Sequence, residues 1–191
     1  AVLDQPDRRI ITSDYKGQIR TWNYNSGGII SNVQTIDKVQ RSIVIHTKMQ
    51  NRFYLITAGW SRLIYLYIEI APSKFEFFQC FNQHLHNVNA IACHPDGYVF
   101  TGSIAGEIIM WSIDASSGYR QNVVDDETPI EHLEIMGTYL LAVDSNGMLT
   151  ILEIPSVDIV YMVKAHDHSI PYSLSTVQQC GGNRFLTGDT L

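Results

Sequence analysis

A pattern of fourteen residues recurs along this chain, and it constrains the fold more than any other feature. Arg9-Ile-Ile-Thr-Ser-Asp-Tyr-Lys-Gly-Gln-Ile-Arg-Thr-Trp22 returns as Tyr54-Leu-Ile-Thr-Ala-Gly-Trp-Ser-Arg-Leu-Ile-Tyr-Leu-Tyr67. It returns again from Tyr98 to Trp111 and from Tyr139 to Leu152, and a fifth copy opens at Arg184. Aligned on Thr12, the copies fall at Thr57, Thr101, Ala142 and Thr187, spacings of 45, 44, 41 and 45 residues. A fixed period of this length marks stacked structural units that bury their faces on one another.

Each copy reads as two short strands around a tight turn. The first is β-branched or aromatic, as in Ile10-Ile11-Thr12 and Val99-Phe100-Thr101, and the second alternates, as in Leu149-Thr150-Ile151-Leu152. Lys16-Gly17, Ala105-Gly106 and Asn146-Gly147 lie between them. Glycine there supplies the positive φ of a two-residue hairpin. The second copy has Ser61-Arg62 instead, which predicts a longer or strained turn. Further apolar runs flank each copy: Gly28–Ser31, Phe75–Cys80 and Asp158–Val163 after it, and Ser42–Ile45, Val88–Cys93 and Ile130–Ile135 before the next. The first copy has no clear opening strand. Four short antiparallel strands per period, with no helical periodicity, match the blade of a β-propeller.

Composition agrees. With 45% hydrophobic and 17% charged residues the chain has enough side chain to bury, which excludes disorder. No apolar window reaches membrane-helix length, and no basic segment precedes an apolar run near Ala1, so a soluble intracellular protein is expected. A net charge of −6 gives no reason to seek nucleic acid or anionic lipid. Cys80, Cys93 and Cys180 are too far apart for a disulfide framework or a zinc site and read as reduced thiols.

At this point the residues resemble the WD-repeat family. The third copy carries the likeness best, with His86, Val88-Asn-Ala-Ile-Ala-Cys-His-Pro-Asp-Gly97, Phe100-Thr-Gly-Ser103 and Glu107-Ile-Ile-Met-Trp111. The fifth adds Ala165-His166 and Leu186-Thr-Gly-Asp189. The resemblance implies an all-β fold: a partial propeller of about four and a half four-stranded blades, at approximately 1–36, 37–82, 83–125, 126–165 and a truncated 166–191. It is thus expected to be a fragment of a longer chain. The sequence also departs from the family. Lys16, Ser61, Ala105 and Asn146 stand where regular blades keep a turn aspartate. The His–Ser/Thr–Asp–Trp network is therefore incomplete, and apolar packing with main-chain pairing is expected to hold the blades instead. Trp22 and Trp111 are expected in the core.

No catalytic motif, cofactor fingerprint or P-loop occurs, so no enzyme, cofactor or metal is expected. His84-Leu-His86 could set two imidazoles on one face of an extended segment, but the family's structural histidine falls at His86, leaving His84 to a loop. His166-Asp167-His168 reads the same way, with His166 structural. Asp125-Asp126-Glu127 lacks the oxygen spacing of a calcium loop and reads as a solvated acidic loop. In the family, the turns between second and third strands often meet partners. Tyr15, Lys16, Trp60, Arg62 and Ile104 hold those positions and form the candidate docking patch, aromatic and Arg side chains being favoured at interface hot spots. The phrases Gly59-Trp-Ser-Arg-Leu-Ile64, Gly106-Glu-Ile-Ile-Met-Trp111 and Asn183-Arg-Phe-Leu-Thr-Gly-Asp-Thr190 are similar to the large WD-repeat proteins of motile cilia, some of which carry EF-hands. That likeness implies a non-catalytic scaffold of a cytoskeletal assembly such as the axoneme. Its partners would be other proteins, axonemal or microtubule-associated, and not nucleic acid, membrane or a small-molecule substrate. The alternative is a soluble adaptor, a ubiquitin-ligase substrate receptor or a trafficking subunit.

Overall fold

The computed structural model describes residues 2–4, 8–14, 16–34, 42–59, 62–114, 118–122, 128–165, 174–180 and 184–189. All regular structure in them is β, in four antiparallel sheets of four strands and one of two. The first sheet holds β1 (Val2–Asp4), β2 (Arg9–Ser13), β3 (Gln18–Asn23) and β4 (Ile29–Gln34), and the second β5 (Ser42–Met49), β6 (Arg52–Gly59), β7 (Ile64–Ala71) and β8 (Lys74–Phe81). The third comprises β9 (Val88–His94), β10 (Tyr98–Ser103), β11 (Glu107–Ser112) and β12 (Gly118–Asn122). The fourth comprises β13 (Ile130–Met136), β14 (Tyr139–Asp144), β15 (Met148–Glu153) and β16 (Ile159–Lys164), and β17 (Leu174–Gln179) pairs with β18 (Phe185–Asp189). In every sheet each strand pairs with its neighbours in sequence. Such meanders are the unit of a propeller, and the architecture is consistent with part of one. The first copy does have an opening strand. Val2-Leu3-Asp4 registers against Arg9–Ile11, a pairing too short to leave a sequence pattern.

The chain divides into two compact units, residues 1–87 and 88–191. In the first, Ile11 and Ile19 of one sheet pack with Leu55, Tyr65 and Tyr67 of the next. In the second, Ala90, Ala92, Phe100 and Ile108 meet Ile130, Leu133, Leu140 and Leu152. The fourth sheet is apolar on both faces: Leu140, Ala142 and Leu152 pack toward the third, while Leu141, Val143 and Leu149 form a second cluster with Phe185. Contact is tight at Gly102, where an added Cβ would lie 2.6 Å from Ile130 Cγ2. Only glycine lets the two sheets come that close.

Two polar links tie neighbouring sheets within a unit. Arg9 of β2 forms a buried ion pair with Glu69 of β7. Arg9 Nη1 also donates to Ser73 Oγ at 3.1 Å, and the Ser73 N–H donates to Glu69 Oε1 at 2.6 Å. In the other unit Asn89 Nδ2 donates to the Ile130 carbonyl and to Glu131 Oε2, each at 3.1 Å.

Packing does not replace the whole polar network. Trp111 Nε1 donates to Thr101 Oγ1 at 2.7 Å, and Trp22 Nε1 donates to Thr12 Oγ1 at 2.8 Å. Thr and Trp therefore keep their half of the network in two sheets despite the missing aspartate, because a cross-strand pair supplies both partners. Trp111 is fully buried as expected, but Trp22 is only half-buried. In the fourth sheet the equivalent positions are Ala142 and Leu152, both buried and apolar.

Candidate interaction surface

The turns between second and third strands repeat one local construction. In the third hairpin the Gly106 N–H donates to the Ser103 carbonyl at 3.4 Å, and in the fourth Gly147 donates to Asp144 at 3.1 Å. In the first, Gly17 donates to Asp14 at 3.0 Å. Positive φ falls on the glycines, at 72°, 78° and 80° for Gly17, Gly106 and Gly147, and not on the residues before them. These are therefore three-residue loops closed by a left-handed glycine, and the two-residue hairpin expected from the sequence is corrected.

A side chain at the start of each loop caps it. Asp14 Oδ1 accepts from the N–H groups of Lys16 and Gln18 at 2.9 and 3.0 Å. Ser103 Oγ accepts from Ala105 and Glu107 at 3.2 Å each, and Asp144 Oδ1 from Asn146 and Met148 at 2.9 and 3.0 Å. Asp, Ser and Asn form such turns because their short side chains reach the backbone two residues on. The signal was present in the sequence as Asp or Ser three residues before the glycine.

Identical caps in different surroundings titrate in opposite directions. The N–H of Gln18, helped by that of Lys16 and the charge of Arg20, holds the Asp14 carboxyl below its ordinary value. Burial raises that of Asp144, against the opposing bonds from Met148 and Asn146. A raised carboxylate pKa means the fold binds the proton more tightly than the unfolded chain. The associated stability is complete below the ordinary value of 3.8 and is lost as pH rises through the folded value. Asp144→Asn keeps an Oδ1 acceptor without the charge. Its melting temperature should equal that of the parent below that window and exceed it above, a difference that thermal melts across acid pH will read.

The second hairpin is built differently. Gly59 stands where the others have a capping side chain, and Arg62 takes the glycine position with φ at 64°. The turn is strained, as its sequence implied, by about 1–2 kcal/mol for a non-glycine residue. Arg62→Gly should raise stability by up to about 1 kcal/mol in urea unfolding, the relief of the left-handed strain exceeding the entropy that glycine adds to the unfolded chain. That side chain is exposed, and Nη1 donates to the Leu85 carbonyl at 3.3 Å.

Of the residues assigned to docking, Lys16 and Arg62 are exposed in the first unit and Ile104, 40% exposed, lies in the second. Tyr15 and Trp60 fall outside the described residues, as do Asp125-Asp126-Glu127 and His166-Asp167-His168. The two histidines at the start of the third repeat exchange their expected roles. His84 is buried at 4% exposure, whereas His86 is exposed, because the chain bends at Leu85 and His86 and turns both outward. They do not share a face. Among the described residues no group of three His, Cys, Asp or Glu side chains could hold a metal ion. The three cysteines are free thiols, and burial pushes that of Cys93 up, away from reactivity.

No protein-family profile matches the chain. Proteins of similar sequence include the "WD repeat-containing protein on Y chromosome" of Drosophila ananassae, 22% identical over 141 residues, which covers 71% of this chain and 12% of that protein. The protein of the same name in Drosophila virilis is 23% identical over 138 residues, 69% of this chain and 11% of the relative. This chain thus spans about one eighth of the length of the curated relatives it matches. Weak sequence similarity to proteins of that name, together with an all-β fold of four-stranded meanders, supports a place for this chain in the WD-repeat family.

Proposed function

We propose that this chain is a non-catalytic protein-interaction scaffold, its four-stranded sheets serving as propeller blades, in a large cytoskeletal assembly such as the ciliary axoneme. The observation that carries the reading is the construction of the turns. Side-chain caps and left-handed glycines fix the loops that expose Lys16 and Ile104, and a left-handed backbone at Arg62 holds the second, where Arg62 is exposed. Loops held this way bind with little ordering cost, which suits partner recognition on a rigid support. Arg62 adds a second support. Backbone strain is retained where surrounding structure over-determines it, and it concentrates at functional sites. Tyr15, beside Lys16, and Trp60, two residues before Arg62, belong to the proposed docking surface of the first unit, and Ile104 to that of the second. The family's usual lack of catalysis and the absence of any catalytic motif in the sequence agree with this role.

Fractionation of ciliated cells tests the assignment. The protein should stay with axonemes through detergent extraction and a high-salt wash, and a folded Trp60→Ala/Arg62→Ala double variant should be released. Recovery of the parent in the detergent-soluble fraction would overturn the axonemal role in favour of a soluble adaptor. Unchanged retention of the double variant would remove the docking patch.

A further inference from the structure

β16 carries the longest stretch of exposed apolar side chains on any one strand among the described residues: Ile159, Val160, Tyr161 and Met162 are 38%, 55%, 55% and 42% exposed. One edge of the strand pairs with β15, and no described strand pairs with the other. Outer strands elsewhere interrupt their apolar residues with polar or charged ones, Asn32 and Gln34 in β4, Lys74 and Glu76 in β8. Those are the devices by which proteins blunt an open edge. From Ile159 to Val163 β16 has no polar or charged residue, only a bulge at Val160 such as β4 and β8 carry in addition to theirs, and an apolar run of this kind is a template for another strand.

The charges at its ends indicate which strand. Asp158 immediately precedes β16 and Lys164 ends it, both exposed. We propose that two copies of this chain associate through β16, antiparallel about a two-fold axis at Tyr161. The bulged pair Ile159 and Val160 of one copy then faces Met162 of the other, and the acidic end of each strand comes to the basic end of its mate. A bulge at Val160, opposite Ile151 and Leu152, shifts Asp158 by one residue, still within reach of a lysine side chain. A parallel arrangement would set like charges together at both ends. The pairing is isologous, so both open edges are used and the contact closes at two copies.

Light scattering on the size-fractionated chain should show a monomer–dimer equilibrium between about 1 and about 100 µM. Tyr161→Lys places two ammonium groups at the axis and should weaken dimerisation at least about tenfold, and Asp158→Lys should weaken it about threefold to tenfold. Adding Lys164→Asp to Asp158→Lys should restore it. Both positions are exposed, and an unchanged far-UV spectrum and melting temperature will show that each variant folds. A parent chain that stays monomeric throughout overturns the proposal and leaves the edge to a strand of another protein. So does open-ended aggregation, a dimer indifferent to Tyr161→Lys, or a charge swap that fails to rescue.

Discussion

Replacing Arg9 with alanine is expected to cost about 3–5 kcal/mol, because it strands the buried carboxylate of Glu69 without its counter-charge. Arg9 is 3% exposed and the Glu69 side chain 5%, so neither can turn to water without opening the contact between its two sheets. The Ser73 N–H would remain as a partner for Glu69, but a neutral donor does not offset the loss of a counter-charge. The paired change Arg9→Met/Glu69→Leu removes both charges and keeps most of the volume, and it should fall within about 1–2 kcal/mol of the parent. Urea unfolding of the single and double variants measures both quantities. A single variant as stable as the double would mean that the ion pair is accessible to solvent.

Trp111→Ala is expected to be comparably severe, about 3–5 kcal/mol, since it empties the volume of a fully buried indole and ends the bond to Thr101. Trp111→Phe should cost much less. The Thr101 hydroxyl keeps the Ile109 carbonyl, which it reaches at 3.3 Å, so no buried polar atom is abandoned. Trp22 supplies an internal comparison. It makes the same bond to Thr12, but it is half-buried, and Trp22→Ala should therefore cost distinctly less than Trp111→Ala. Equal losses at the two positions would show that the hydrogen bond, and not the buried volume, carries the effect.

What could be read from the sequence was whatever local chemistry decides. The second and third strands of each repeat were legible because β-branched and alternating residues flank a turn glycine, and the left-handed glycines followed from the same signal. β12 was not, because Gly-Tyr-Arg-Gln-Asn has no apolar run and owes its place to pairing with Glu107–Trp111. The exchange between His84 and His86 was missed for a related reason. Their burial depends on where the chain bends after β8, and a motif position says nothing of that. Of the docking residues, the sequence placed Lys16, Arg62 and Ile104 at turns, and the strain at Arg62 was implied by its missing glycine. The Arg9–Glu69 pair lay beyond sequence reasoning altogether, since partners sixty residues apart in two different repeats leave no spacing to recognise.

The sequential meander has a kinetic consequence. Since each strand pairs with the next, the loops that must close before a sheet can form are only a few residues long, and their entropic cost is small. Hairpins with a capped glycine turn are ready nuclei, and the one at Asn146-Gly147 has both features. The hairpin at Arg62 has neither and must wait for its strands to pull the turn into place. Assembly therefore spreads from several starting points along the chain, and the hairpin with the most unusual loop joins late.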